Sequence, residues 1–151
     1  MNGDLAARQR ALVAALVAGA PTPAGFDRHL VDIAREALLR KRAGEVAHHW
    51  PLLAAGFSDG WTATFARWAS GRAPLGGLRD GWDLARSLHA DGRLAGPAAE
   101  ELAAREVSWR YDGHSPPRRR RLPAARRPGG SVLVQVAGRV RVFRISQGAS
   151  G

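Results

Sequence analysis

No cysteine occurs among the 151 residues. This excludes a disulfide framework, a thiolate nucleophile and any cysteine-ligated metal site. Lysine is almost missing as well, with Lys41 the only one among 23 basic residues. Carboxylates are absent from an entire region: all 13 Asp and Glu lie within residues 1–112, beside 14 basic side chains. The other nine basic residues, all arginine, fall within 113–151. The pI near 11.7 therefore describes a tail on a nearly neutral body. Long apolar runs are also lacking. Arg8 and Arg10 interrupt the first apolar stretch, and Asp4 stands where a signal peptide carries positive charge. The expectation is a soluble, cytoplasmic protein with no membrane partner.

What is present suffices for a core, since 45% of the residues are apolar. Helical spacing dominates residues 1–112. Leu5, Leu12, Val13, Leu16 and Val17 share one stripe, with Asp4 placed to cap it, and the helix is expected to end near Gly19. Gly19 to Gly25 is a connector. Phe26, Leu30, Ile33, Ala34, Ala37 and Leu38 form a second stripe that starts near Asp27 and continues through Gly44 to about Trp50. Pro51 suits the first position of a short helix, where a missing N–H costs nothing. Ser58 and Asp59 start another, with Trp61, Phe65 and Trp68 at spacings of three and four. Leu78, Trp82, Ala85 and Leu88 mark a further helix closed by Asp91-Gly92, and Pro97 opens the last. The fold expected is mainly α: a bundle of five to six helices with short connections.

Beyond Tyr111-Asp112-Gly113 the texture changes. Residues 113–130 are rich in proline, glycine and arginine, and read as a basic linker too polar and broken to pack. Residues 131–146 read as a β-hairpin, Val132 to Val136 and Val140 to Ile145 around Ala137-Gly138. A lone hairpin is marginal in water, so it must pack on the body, dimerise or receive a partner's strand.

Sites of chemistry are scarce. His48 and His49 are adjacent and point about 100° apart on a helix, which prevents chelation of one ion by the pair alone. His29, His89 and His114 are scattered, the serines lack a nucleophile elbow, and the paired glycines lack the setting of a phosphate loop. No enzymatic activity and no bound cofactor are expected. The tryptophans fall mostly on core-facing stripes, although one near a helix end could meet a partner. Arg118, Arg119, Arg120, Arg121, Arg126 and Arg127 fit a solvated linker, a peptide contact or a nucleic-acid contact. No aromatic residue interleaves the run, which argues against base stacking there. Arg139 and Arg141 share one strand face and Arg144 the other. They either protect an edge or receive an extended chain.

The order of segments resembles that of the partner proteins of multinuclear non-haem iron oxidative enzymes, which modify ribosomally made peptides. Four stretches carry the resemblance: Leu5-Ala6-Ala7-Arg8-Gln9-Arg10-Ala11-Leu12; the second helix leading to His49-Trp50-Pro51-Leu52-Leu53; Gly56-Phe57 through Phe65-Ala66; and Glu101-Leu102-Ala103-Ala104-Arg105-Glu106. It covers about residues 4–112. It implies a non-catalytic accessory subunit that binds the iron enzyme and helps present a precursor peptide for oxidative cysteine modification. The iron would belong to the partner. Trp50, Pro51, Glu106 and Trp109 are the partner contacts implied. Larger members carry a fuller carboxyl-terminal domain, whose place only the hairpin takes here. The helical region of such proteins is also ascribed to DNA binding, which keeps a nucleic-acid alternative open.

Overall fold

The computed structural model describes residues 2–121, 124–128, 131–136 and 139–144. Six α-helices are followed by two small antiparallel sheets, so the mainly α architecture is as expected. The helices are α1 Asn2–Ala18, α2 Arg28–His49, α3 Pro51–Ala55, α4 Trp61–Ala69, α5 Gly77–Ala90 and α6 Gly96–Ser108. A 3-10 turn, Ser58–Gly60, precedes α4. No helix among the described residues is long and apolar enough to cross a membrane.

Local signals explain most boundaries. The Asp27 carboxylate accepts from the backbone N–H groups of His29 (2.7 Å) and Leu30 (3.3 Å), satisfying two of the free donors at the start of α2. Pro51 and Pro97 sit in the first turns of α3 and α6. Asp4 differs from expectation: α1 begins before it, so its carboxylate complements the positive end of the helix dipole from within the first turn. α2 continues unbroken through Gly44, which meets no neighbour.

The connector between α1 and α2 doubles back. Phe26 lies under the Arg8 guanidinium at 5.9 Å, whereas Arg35 donates from Nε to the Ala15 carbonyl (2.9 Å) and from Nη2 to that of Ala20 (3.2 Å). α2 therefore runs beside α1 in the same direction, then passes through the body. Its later half packs on α3, α4 and α5, and α6 closes the bundle against α3 and α5. Val46, Trp50, Leu53, Phe65, Trp82 and Leu84 form the centre of the core. Trp50 and Trp82 meet edge to face with ring centroids 5.6 Å apart. Their neighbour Arg42 forms a buried ion pair with Asp80 at 3.0 Å, which ties α2 to α5.

The stretch read as a basic linker is partly ordered, which corrects that expectation. β1 Trp109–Arg110 pairs with β2 Arg118–Arg119, and β3 Ala124–Arg126 joins β4 Ser131–Val136 and β5 Arg139–Arg144. Between β1 and β2, Asp112 accepts from the N–H groups of Ser115 (2.7 Å) and His114 (2.9 Å). These bonds hold its carboxyl down at about 2. The expected hairpin is thus two strands of a three-stranded sheet in the order β3-β4-β5. It packs on α6 through Leu133, Ala103 and Val107. The turn expected at Ala137-Gly138 and the strand end at Ile145 lie outside the described residues.

Candidate functional site: the carboxyl-terminal sheet

Strand register sorts the side chains by face. β4 pairs Leu133 with Val142 and Gln135 with Val140, while Ala124 and Arg126 of β3 oppose Gln135 and Leu133. Cross-strand partners share a face. Leu133 and Gln135 are buried, so this face looks toward α6. The opposite face carries Ala125, Val132, Val134, Arg139, Arg141 and Phe143. Both arginines are exposed there, and Phe143 is 56% exposed. β5 overhangs the helix: even on the inner face, Val142 remains 53% exposed. No described strand pairs with the outer side of β5. Among the described residues the result is an open edge six residues long, with apolar side chains and two cations that form no ion pair, in a region without a carboxylate.

Glu106 fastens this sheet to the bundle. Its Oε1 accepts from Arg86 Nε at 2.7 Å and its Oε2 from Arg126 Nε at 3.3 Å. Burial pushes the carboxyl up, but the hydrogen bond and charge of Arg86, aided by Arg126, outweigh it and hold the group below the ordinary glutamate value. Beside it a mainly apolar cavity of about 210 Å³ opens between α5, α6 and β3, lined by Leu102, Ala103, Arg126 and Pro128 among others.

A lowered folded pKa means that this ion pair stabilises the fold above the ordinary value of 4.5 and loses its effect as pH falls through the folded value. Glu101 and Asp83 act in the opposite sense, because burial raises both. The Glu106 contribution is therefore read as the difference between the native chain and Glu106→Gln. That difference should be about 1–3 kcal/mol at neutral pH and shrink toward zero below the folded pKa. Chemical denaturation across pH 2–7 measures it; a gap constant over this range would show that the pairing contributes nothing.

The arginines of the tail divide into two groups. Arg119 stacks on its cross-strand partner Trp109 at 4.9 Å. Arg120 donates to the carbonyls of Glu106 (2.9 Å) and Trp109 (3.1 Å) at the end of α6, where a cation complements the dipole. With Arg126, these three hold the tail to the body. Arg118, Arg121, Arg127, Arg139 and Arg141 are exposed and form no ion pair among the described residues. Arg144 pairs through its backbone with Ser131, and its side chain lies outside the described set.

The partner contacts implied by resemblance also separate. Trp50 is wholly buried: its indole donates to the Leu78 carbonyl at 2.9 Å and Arg105 covers its ring at 4.2 Å. It belongs to the core and has no surface to offer. Glu106 is engaged by Arg86 and Arg126, Trp109 is half-covered by Arg119, and Pro51 is exposed. Reasoning from sequence missed β3, the Arg126–Glu106 bridge and the exposed Phe143. Alternation over 139–144 was the available signal for Phe143, whereas no local signal pairs residues 106 and 126. No three His, Asp or Glu residues among those described converge as metal ligands.

Residues 6–90 match the model of the SCO6045-like, C-terminal domain family, more than half of the chain, and the chain belongs to that family. It is also similar to a UPF0276 protein of Streptomyces avermitilis, 38% identical over 123 residues. The match covers 81% of this chain but only 25% of that relative, so the chain spans about a quarter of its length. No solved structure matches.

Proposed function

With family membership as the premise, we propose that this protein is a non-catalytic accessory subunit. It binds an iron enzyme of the multinuclear non-haem oxidative class and holds a ribosomally made precursor peptide for oxidative cysteine modification. The observation that carries the reading is the free β5 edge beside exposed Arg139, Arg141 and Phe143. An extended peptide satisfies such an edge through main-chain hydrogen bonds, with alternate side chains set on the two faces. Nine arginines and no carboxylate in residues 113–151 favour an acidic segment. Holding the peptide as an extended strand orients its cysteines for an enzyme docked elsewhere on the same small body. In this reading the enzyme holds the iron.

Co-expression with the genes flanking its own, followed by mass spectrometry of small peptides, tests the proposal. A peptide mass change that needs this chain is expected. Arg139→Glu with Arg141→Glu should weaken peptide binding about tenfold or more, beyond the roughly 0–1 kcal/mol of one exposed ion pair. Full modification without the chain would overturn the accessory role.

Exposed Arg118, Arg121, Arg127, Arg139 and Arg141, without an ion pair among the described residues, also favour a second reading, contact with nucleic acid. With these five phosphate contacts made, log affinity should fall against log salt with a slope of about −4.5. Weak, sequence-indifferent binding to duplex is expected. Tight, sequence-selective binding near physiological salt would replace the peptide reading.

A further inference from the structure

Apart from Leu52 and Leu75, the large exposed apolar side chains fall on two parts of the fold, and the sheet holds only one set. The other comprises Leu5 and Val13 of α1 with Leu30 and Ile33 of α2, each between 48% and 63% exposed. Among the helices, α1 packs mainly against α2, and Ala15 is its only buried residue among those whose side chains are described. A 17-residue helix has marginal stability alone in water. One with a single helical neighbour therefore leaves much of its apolar stripe uncovered. Grouped apolar exposure of this kind marks an interaction surface.

The comparisons indicate what covers it. The family is described as a C-terminal domain, and the Streptomyces relative devotes only 25% of its length to the matched part. In that relative the matched segment therefore shares one chain with about three times its own length of other sequence. We infer that the exposed α1–α2 face is the docking surface for a larger protein domain, of the kind that fills the other three-quarters of that relative. Charge agrees with a protein occupant. Asp4, Arg8, Arg10, Arg28, Asp32 and Glu36 carry both signs in these elements, whereas a phosphate backbone or an anionic membrane would call for cations alone. Covalent attachment in the relative supplies a high effective concentration, so a modest apolar face suffices there. The inference rests on the accessory reading only in requiring a larger partner, and not at all on peptide binding.

The test uses the intact Streptomyces relative with p-benzoylphenylalanine at the positions aligned with Leu30 and Ile33, irradiated and mapped by mass spectrometry. Cross-links should run to peptides outside the matched 123 residues. The position aligned with Arg93, exposed in the loop between α5 and α6, serves as the control and should give none. Cross-links that stay within the matched segment, or run equally from the control, overturn the inference. Light scattering of this chain adds a second arm, in which a monomer is expected. A dimer dissolved by Leu30→Glu with Ile33→Glu, with circular dichroism unchanged, would make a second copy the occupant instead. Cross-links as expected, without any peptide contact at β5, would leave this surface standing while the peptide reading fell.

Discussion

Asp80→Ala should destabilise the fold by about 3–5 kcal/mol, the usual consequence of stranding one member of a buried ion pair. Asp80 lies in the first turn of α5 and is almost fully buried. One of its oxygens accepts from Arg42 Nη2 at 3.0 Å and the other from the Leu75 backbone N–H at 3.0 Å. Arg42 comes from the middle of α2, donates to the Arg72 carbonyl at 3.1 Å, and lies over the Phe65 ring at 5.6 Å. The pair therefore joins α2, the loop after α4, and α5. Without the carboxylate, a guanidinium remains enclosed with its charge uncompensated, and the loop loses a hydrogen-bond acceptor. Thermal unfolding should fall by roughly 10 °C. Adding Arg42→Met to Asp80→Ala should recover part of the loss, because the stranded charge is then gone. A loss under about 1 kcal/mol for the single change would mean that water screens the pair, contrary to its burial.

That pair shows where reading from sequence stops. The helices are legible because each carries its own periodicity and end signals: Asp27 caps α2, Pro51 and Pro97 open α3 and α6, and Gly92 closes α5 with φ at 68°. Asp80, in contrast, sits in a polar turn beside Arg79 and looks solvated. Only the packing of α5 on α2 encloses it with a residue 38 positions away. The tail was misjudged for a related reason. Arginine and proline content predicts poor self-packing, and no periodicity reveals that α6 ends in carbonyls and a carboxylate able to receive Arg120 and Arg126. Three arginines are thereby drawn onto the body, and a segment too polar to form a core gains two short strands. The alternation across 131–144 was readable; a third strand of three residues was not.

The same limit applies to the candidate site. Arg139 and Arg141 were legible as one face of a strand, and the register places them together opposite Val134 and Val136. Which arginines stay available depends on distant partners. Arg118, Arg121 and Arg127 remain exposed, while Arg119 and Arg120 face Trp109 and the end of α6. The charge available to a ligand is thus about half of what the composition of the tail suggests, and of those five arginines only Arg139 and Arg141 lie on β5.

Gly81→Ala should destabilise the fold by about 3 kcal/mol, at the upper end of the usual cost of overpacking a core. The position looks permissive in sequence, since alanine is the better helix former by about 1 kcal/mol and should stabilise an exposed site. Here a methyl group on Gly81 would come within 2.2 Å of Trp50 Cδ1 and 2.5 Å of its Nε1. The indole cannot simply move aside. It donates to the Leu78 carbonyl, meets Trp82 edge to face, and is covered by Arg105, which also donates to the His49 carbonyl. Relief requires either the loss of these contacts or the separation of α5 from α2, where Gly77 already lies against the Glu45 backbone. Separation would also strain the nearby Arg42–Asp80 pair, so the effects of Gly81→Ala and Asp80→Ala should be less than additive. Tryptophan fluorescence during denaturation should show an earlier transition and an altered native signal. Unchanged stability in Gly81→Ala would mean that α2 and α5 do not approach this closely, and the slot that buries Trp50 would have to be abandoned.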